Sequence, residues 1–313
     1  MREWCNDPGN ALIWLATAID PTLRVRLTGR NYTLIKAHGY SAKELDRFRH
    51  FQRLSYEILD STAQNLRVGN SETEATRMLR KAFHLAGAHN YFHVPVALFG
   101  ERSAYPGEFG AFEALPTERV LKEGDSFILD AAPIFDGYTV DTSCAYNFSD
   151  DDVFRKLDKE LPTLRHLIKD RIDDGGTFQN IAWEVDDYIR ERGYENCHKK
   201  HIGAVLGHMV TKADTNRLAS WSYKGLAVKQ VSWFLTRSRL ARGKRRQMTP
   251  NWNHTNSCKD VAPYGLWAVE PHLASGNVGV KFEEILIIDE DGARWLDDDL
   301  PHHRRWAGYG ESN

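Results

Sequence analysis

Five side chains with metal-binding chemistry lie within or beside apolar stretches of this chain. They are the aspartates Asp130 and Asp141, followed along the sequence by His201, Glu270 and Glu283. A buried carboxylate without a partner loses its hydration, so these charges call for a compensating cation. A pair of divalent metal ions is the simplest candidate, because such ions prefer carboxylate oxygens and imidazole favours transition metals over magnesium or calcium.

Each of these residues has a plainer explanation when it is taken alone. An aspartate at the end of a strand commonly serves a turn, and a lone histidine is commonly structural. Four carboxylates and an imidazole together favour metal binding. The ion stays open between manganese, iron, cobalt and zinc, because one ligand set accepts several of them.

Local signals predict the helices of the domain. Capping-box patterns at Ser41 and Ser71, each followed three residues later by a glutamate, predict two helix starts. A third helix is expected around 153–172, with Pro162 placed awkwardly inside it, and a fourth around 178–192.

Apolar runs predict the strands that carry the acidic residues. Residues 127–141 form a predicted hairpin with the two aspartates at its ends, and strands are expected at 265–270 and 278–288. On the last of these strands, alternation puts the neighbours Glu283 and Glu284 on opposite faces, so only one of them can face the site.

Composition bounds the class of protein. The chain has 313 residues, 42% of them hydrophobic, and a formal net charge of -2, which predicts no general attraction to nucleic acid or anionic membranes. No apolar run reaches the roughly 18 residues of a membrane helix. The four cysteines form no CxxC pair, which argues against a disulfide framework or zinc ribbon and suits the cytoplasm.

The order and spacing of these residues resemble those of metallopeptidase family M24, the pita-bread family of methionine aminopeptidase, aminopeptidase P and proline dipeptidase. The family has two aspartates eleven positions apart on a hairpin, as Asp130 and Asp141 are here. Its ligand histidine is followed seven positions later by a substrate-facing histidine, which matches His201 and His208. The step from Glu270 to a proline resembles another family motif.

The resemblance implies an α+β pita-bread fold, with two pseudo-duplicated α+β halves around a curved antiparallel sheet. It places the catalytic domain at 41–313, after an N-terminal extension at 1–40, with a basic insertion around 211–260. It also implies two divalent ions. Their ligands would be Asp130, Asp141, His201, Glu270 and Glu283, with Asp141 and Glu283 bridging.

The activity implied is that of an aminopeptidase or Xaa-Pro peptidase that cleaves N-terminal residues from peptides through a metal-bridging hydroxide. His208 would donate a hydrogen bond to the substrate carbonyl, and Glu270 would shuttle a proton. The partner is a peptide or small amide substrate, with neither nucleic acid nor membrane. Two alternatives stay open: a small-molecule C–N hydrolase or biosynthetic enzyme on the same scaffold, and a non-catalytic binding module.

Two features depart from the family pattern. Family members carry a substrate-contacting histidine upstream of the first aspartate, but this chain has Phe112 and Glu113 there, so the role is missing or has moved to His93. The basic insertion around 211–260 is either a solvated surface excursion or a lid, a contact between the subunits of a homodimer, or a site for an acidic partner.

Overall fold

The computed structural model describes residues 35–109, 113–149, 151–201, 203–213, 222–223, 225–243, 249–254 and 262–309. Most of the predicted N-terminal extension at 1–40, and parts of the insertion at 211–260, lie outside the described residues. In the part of the chain that is described, no helix combines the length and apolar character needed to cross a membrane.

Seven α-helices form in the described ranges. They are α1 (Ala42–Asn65), α2 (Glu72–Leu85), α3 (Asp152–Asp158), α4 (Glu160–Asp173), α5 (Phe178–Glu191), α6 (Val228–Gly243) and α7 (Pro301–Gly308), with 3₁₀ helices at Gly100–Ala104 and His198–Lys200. Both predicted capping boxes are present. The side chains of Ser41 and Ser71 accept the backbone N–H of Glu44 and Glu74, whose carboxylates accept the serine backbone N–H in return.

The prediction of a single helix at 153–172 is wrong, because the chain forms α3 and α4 with a break at Lys159. Pro162 explains the break. A proline inside a continuous helix would clash with the carbonyl four residues earlier and would leave it without a donor. In the observed arrangement Pro162 lies in the first turn of α4, where no intrahelical donor is needed.

Seventeen strands are present in the same ranges. They are β1 (Ile35–Lys36), β2 (Asn90–Tyr91), β3 (Val96–Phe99), β4 (Ser126–Ala131), β5 (Pro133–Phe135), β6 (Tyr138–Thr139), β7 (Thr142–Asn147), β8 (Glu195–Asn196), β9 (Gly207–Met209), β10 (Lys212–Ala213), β11 (Ser222–Tyr223), β12 (Leu226–Ala227), β13 (Asn251–Trp252), β14 (Gly265–Val269), β15 (His272–Ser275), β16 (Val278–Asp289) and β17 (Gly292–Trp295).

The strands build two sheets. In the ten-stranded sheet the order is β13-β9-β14-β16-β7-β4-β3, with β15, β17 and β8 attached through β16 and β15. In the other sheet the order is β1-β10-β6-β5-β2-β12-β11. The twelve-residue strand β16 is the axis of the larger sheet, because it pairs with β15, β7, β14 and β17 along its length.

Two apolar cores pack against this framework, one for each set of helices. One contains residues of α3, α4 and α5, such as Leu164 and Val185, and the other contains residues of α1 and α2, such as Phe48 and Phe83. Strand β4 contributes to both cores, with Ile128 in the first and Leu129 in the second. This division agrees with the prediction of two α+β halves around a shared sheet.

Candidate metal centre

Strand register places Asp130 and Glu283 on one face of the larger sheet. Asp130 of β4 and Glu283 of β16 both pair with Ser143 of β7, which lies between them. Directly opposed residues of antiparallel strands point to the same face. The two carboxylates therefore approach each other across a small serine side chain.

Strands β9 and β14 add His208 and Glu270 to the same face. His208 opposes Ala268, and Ala268 opposes Ile285 of β16. Glu270 follows Ala268 by two residues and Glu283 precedes Ile285 by two, and residues two apart on a strand share a face. The pairing register thus brings four of the predicted site residues together on one face. The strands involved are β4, β7, β16, β14 and β9.

Asp141 is the centre of this group. Its side chain is fully buried, and its two carboxylate oxygens accept from two histidines: His93 Nε2 lies 3.0 Å from Oδ1, and His208 Nε2 lies 3.1 Å from Oδ2. The same imidazoles lie 3.4 Å from Asp130 Oδ1 and 3.5 Å from Glu283 Oε1. The structure thus places His93 at the site. His93 is the residue considered above as a substitute for the missing upstream histidine.

His201, the predicted imidazole ligand, lies apart from Asp141 and against Glu270. Its Nδ1 is 2.8 Å from Glu270 Oε2, while its Nε2 is 3.3 Å from His272 Nδ1. The ring of Tyr105 packs against both imidazoles, at centroid distances of 5.0 Å and 4.5 Å. Both nitrogens of His201 therefore already have protein partners.

Lys281 occupies the space between the carboxylates. Its Nζ lies 2.9 Å from Glu270 Oε2, 3.0 Å from Asp130 Oδ2 and 3.3 Å from Glu283 Oε2, and its side chain is fully buried. Burial opposes its charge, but the carboxylates of Asp130, Glu270 and Glu283 hold the pKa of Lys281 well above its usual value. A protonated ammonium group is thus built into the centre.

The remaining groups lie in a strongly negative environment. Burial and the carboxylates of Asp141 and Glu270 raise the pKa of Glu283 to about 8. Burial opposes a charged imidazole, yet the Asp141 carboxylate raises the pKa of His93 to about 10. Despite its burial, Asp141 has a pKa well below its usual range because of the charge of His93 and the hydrogen bond from His208. At neutral pH the pocket thus retains protons that a divalent cation would displace.

The model of the family described as metallopeptidase family M24 matches residues 46–290, a range that includes every residue of this site. The chain belongs to metallopeptidase family M24. Among curated proteins it is similar to methionine aminopeptidase 1 of Saccharomyces cerevisiae, with 26% identity over 174 residues, which are 53% of this chain and 42% of the yeast protein. The match therefore covers less than half of the yeast enzyme's length.

Solved structures of M24 enzymes share the fold. X-Pro aminopeptidase from Thermotoga maritima aligns with a TM-score of 0.61 at 18% identity, over 85% of this chain and 64% of that one. Prolidase from Pyrococcus furiosus gives 0.58 at 16%, over 84% and 65%. Methionine aminopeptidase from Thermotoga maritima gives 0.55 at 14%, over 82% and 97%. The predicted α+β pita-bread fold is confirmed.

The residues of this M24 chain fit a divalent ion near Asp141. One trio of possible ligands is His93, Asp130 and Asp141, and a second is Asp141, His208 and Glu283; within each trio the ligand atoms lie within 4.8 Å of one another. In addition, Asp130 Oδ1 is buried and has no hydrogen-bond partner in the described part of the chain. Three carboxylates that meet at one point, with an imidazole beside them, are a suitable donor set for a transition metal.

Glu284 lies on the opposite face from Glu283, as strand alternation predicts. Its carboxylate accepts from His302 Nε2 at 2.8 Å and His303 Nε2 at 2.9 Å, and it pairs with Arg165 at 3.1 Å. Arg165 compensates the charge of Glu284. The contacts of His302 and His303 with Glu284 anchor helix α7 to strand β16. This cluster is separate from the centre around Asp141.

The insertion contributes an aromatic wall beside the centre. Phe234 of α6 lies 5.7 Å from the ring of His208 and 5.2 Å from Phe92, and Phe92 stacks on His208 at 5.4 Å. Trp233 and Leu235 of the same helix are buried. The described part of the insertion therefore packs against the site and is not a solvated excursion.

Lys281 is the site residue that the sequence reasoning missed. It precedes Glu283 by two positions on a strand, so alternation alone places it on the face of the carboxylates. A lysine inside an apolar strand is also rare unless it is paired. These two signals together would have identified it.

Proposed function

We propose that this protein is a metal-dependent peptidase that removes the first residue of a peptide. The observation that carries the proposal is the convergence of Asp130, Asp141 and Glu283, with His93 and His208, around one point inside the region matched by the M24 family. A divalent cation bound at this point supplies the charge that activates water and polarises a scissile carbonyl. The family resemblance adds His201, Glu270 and a second ion to this set.

Two residues of the chain are proposed to act on the substrate. His208 Nε2 projects between the carboxylates of Asp141 and Glu283 and is the proposed donor to the carbonyl oxygen as it gains negative charge. Glu270 is the proposed proton acceptor. Although burial opposes its charge, Lys281 and His201 hold the pKa of Glu270 well below its usual value, so Glu270 is ionised at neutral pH.

For the substrate, we propose peptides with proline in the second position. The rings of Phe92 and Phe234, which contact the ring of His208, give an aromatic surface next to the proposed metal point. A pyrrolidine ring packs well on such a surface, since it is rigid and loses little conformational freedom on binding. The sequence likeness to methionine aminopeptidase 1 makes amino-terminal methionine the alternative.

The test is a metal analysis followed by a substrate panel. The chelated protein is reloaded with Mn²⁺, Co²⁺, Fe²⁺ or Zn²⁺ and incubated with Met-Xaa peptides, Xaa-Pro dipeptides and longer Xaa-Pro peptides, and the released amino acid is measured. We expect activity only in loaded samples and fastest with Xaa-Pro peptides. A loaded protein that cleaves none of them would refute the proposal and favour a small-molecule C–N hydrolase or a binding module.

Replacing His208 by alanine is expected to slow turnover while leaving metal content unchanged. Loss of one hydrogen-bond donor to an oxyanion costs about 100-fold or more in kcat. The measurement is kcat together with metal content by atomic emission. His89, an exposed histidine remote from these carboxylates, gives the matched control His89→Ala, which should retain wild-type values. Wild-type kcat in His208→Ala would remove the catalytic role.

Shortening Phe234 tests the aromatic wall. Phe234→Ala is expected to lower kcat/KM for Xaa-Pro peptides by about tenfold, because the loss of even one methylene contact in an apolar pocket costs roughly 1–3 kcal/mol. Arg237→Ala, an exposed position on the same helix, is the control and should change little. Equal losses in both variants would indicate a general disturbance of α6 instead of a lost substrate contact.

A further inference from the structure

We infer that the ammonium group of Lys281 takes the place of one of the two cations, so that the centre binds a single divalent ion between Asp130, Asp141 and Glu283. This inference rests on the proposed metal-dependent function and changes its stoichiometry. The family-derived prediction is of two ions, bridged by Asp141 and Glu283. Lys281 therefore makes this centre different from the one that the resemblance implies.

The contacts of Lys281 are those of a bound cation. A lysine ammonium has three N–H donors. In this chain they meet three different carboxylates, at 2.9 Å for Glu270, 3.0 Å for Asp130 and 3.3 Å for Glu283. These are three of the four carboxylates predicted to bind the two metal ions. Each of them already gives one oxygen atom to the ammonium group.

The charge of Lys281 is compensated where its side chain lies. Its side chain is fully buried on the inward face of β16, opposite His272 of β15. Removing the ammonium from its carboxylates without exposing it to water would cost several kcal/mol, because the lost hydration of a buried charge would then have no compensating ion pair. The ammonium is thus a permanent part of the centre, whatever else binds there.

On the side of Glu270, protein groups already contact one carboxylate oxygen and both nitrogens of His201. Glu270 Oε2 accepts from both Lys281 and His201, and His201 uses its other nitrogen on His272. The predicted ligands of the ion on this side therefore already compensate one another. A divalent ion placed among the same oxygen atoms would contact the ammonium group and be repelled by it.

The carboxylate oxygens that Lys281 does not contact lie on the other side, around Asp141. They include Asp130 Oδ1, which has no hydrogen-bond partner among the described residues, and the two oxygens of Asp141, which accept only from imidazoles. Glu283 Oε1 faces the same point, 3.5 Å from His208 Nε2. The carboxylate oxygens not bound to Lys281 therefore meet around Asp141, which is where a single divalent ion would bind.

The experiment counts Mn²⁺ ions and asks whether they are neighbours. Chelated wild-type protein is equilibrated with Mn²⁺, bound metal is measured by atomic emission after dialysis, and the bound ions are examined by electron paramagnetic resonance. We expect about one equivalent, with the spectrum of an isolated ion, since the second binding position is filled by the ammonium. Two equivalents with an exchange-coupled spectrum would overturn the inference and leave the metal-dependent function standing. No bound Mn²⁺ would refute both.

The variant Lys281→Met tests whether the ammonium is the cause. It keeps the length of the side chain and removes its charge, so the bound Mn²⁺ should rise to about two equivalents with a coupled spectrum. Lys212→Met is the matched control, because Lys212 also pairs with a carboxylate, that of Glu44, outside the centre. A folded Lys281→Met that still binds one ion would overturn the inference. If this variant does not fold, the wild-type count decides.

Discussion

Asp141→Asn is expected to abolish metal binding and peptide hydrolysis together. The substitution keeps the size of the side chain but removes the charge at the point where His93, His208 and both neighbouring carboxylates meet. Because a divalent ion depends on ionised oxygen ligands, affinity should collapse, and turnover should fall by more than about 1000-fold, beyond the loss of a single oxyanion donor. Metal content and release of the amino-terminal residue are the measurements.

The hairpin that carries Asp141 also offers a matched control. Asp136 lies at its turn, is 69% exposed in its side chain and pairs only with Arg47 in the described part of the chain. Asp136→Asn should therefore bind metal and turn over as the wild type does. Asp141→Asn with normal metal content and normal activity would show that the ion, if there is one, lies elsewhere.

Glu72→Ala is expected to lower the free energy of unfolding by about 3–5 kcal/mol, the usual cost of removing one partner from a buried charged network. Glu72 is fully buried at the start of α2, where its carboxylate accepts from Phe99 N at 2.9 Å and Arg102 Nε at 2.8 Å. It also accepts from the backbone and hydroxyl of Thr117, at 2.9 Å and 2.7 Å. Urea unfolding followed by tryptophan fluorescence gives the value.

A second glutamate on the same helix provides a control that distinguishes this network from ordinary helix capping. The exposed side chain of Glu74 closes the capping box with Ser71. Glu74→Ala should therefore destabilise the protein much less than Glu72→Ala. Similar losses in the two variants would contradict the role of Glu72, which is to hold Phe99, Arg102 and Thr117 against the start of α2. Tyr105, three residues after Arg102, packs against His201.

The parts of the fold that depend on local interactions were predictable from the sequence. The boxes at Ser41 and Ser71 mark real helix starts, because their hydrogen bonds join residues only three positions apart. The break at Lys159 does not follow from the sequence, because Pro162 is compatible with either a kink or a new helix start. Which of these occurs depends on what the two helices pack against.

The site was predictable as far as strand alternation reaches. Alternation separates Glu283 from Glu284 correctly, since the two environments belong to opposite faces of one strand. The partners of His201 were not predictable, because they depend on Glu270 and His272, about 70 residues later in the chain. Lys281 acquires its meaning only when β4, β14 and β16 lie side by side.

The ion pair between Lys281 and Asp130 has a mechanical consequence. Asp130 belongs to the strand next to β3 and β7, which pack on α1 and α2, whereas Lys281 belongs to the strand hairpin that follows α3, α4 and α5. The two residues therefore connect the early and late portions of the chain, and neither portion can complete the pocket alone. During biosynthesis, the pocket can close only after β16 has been made.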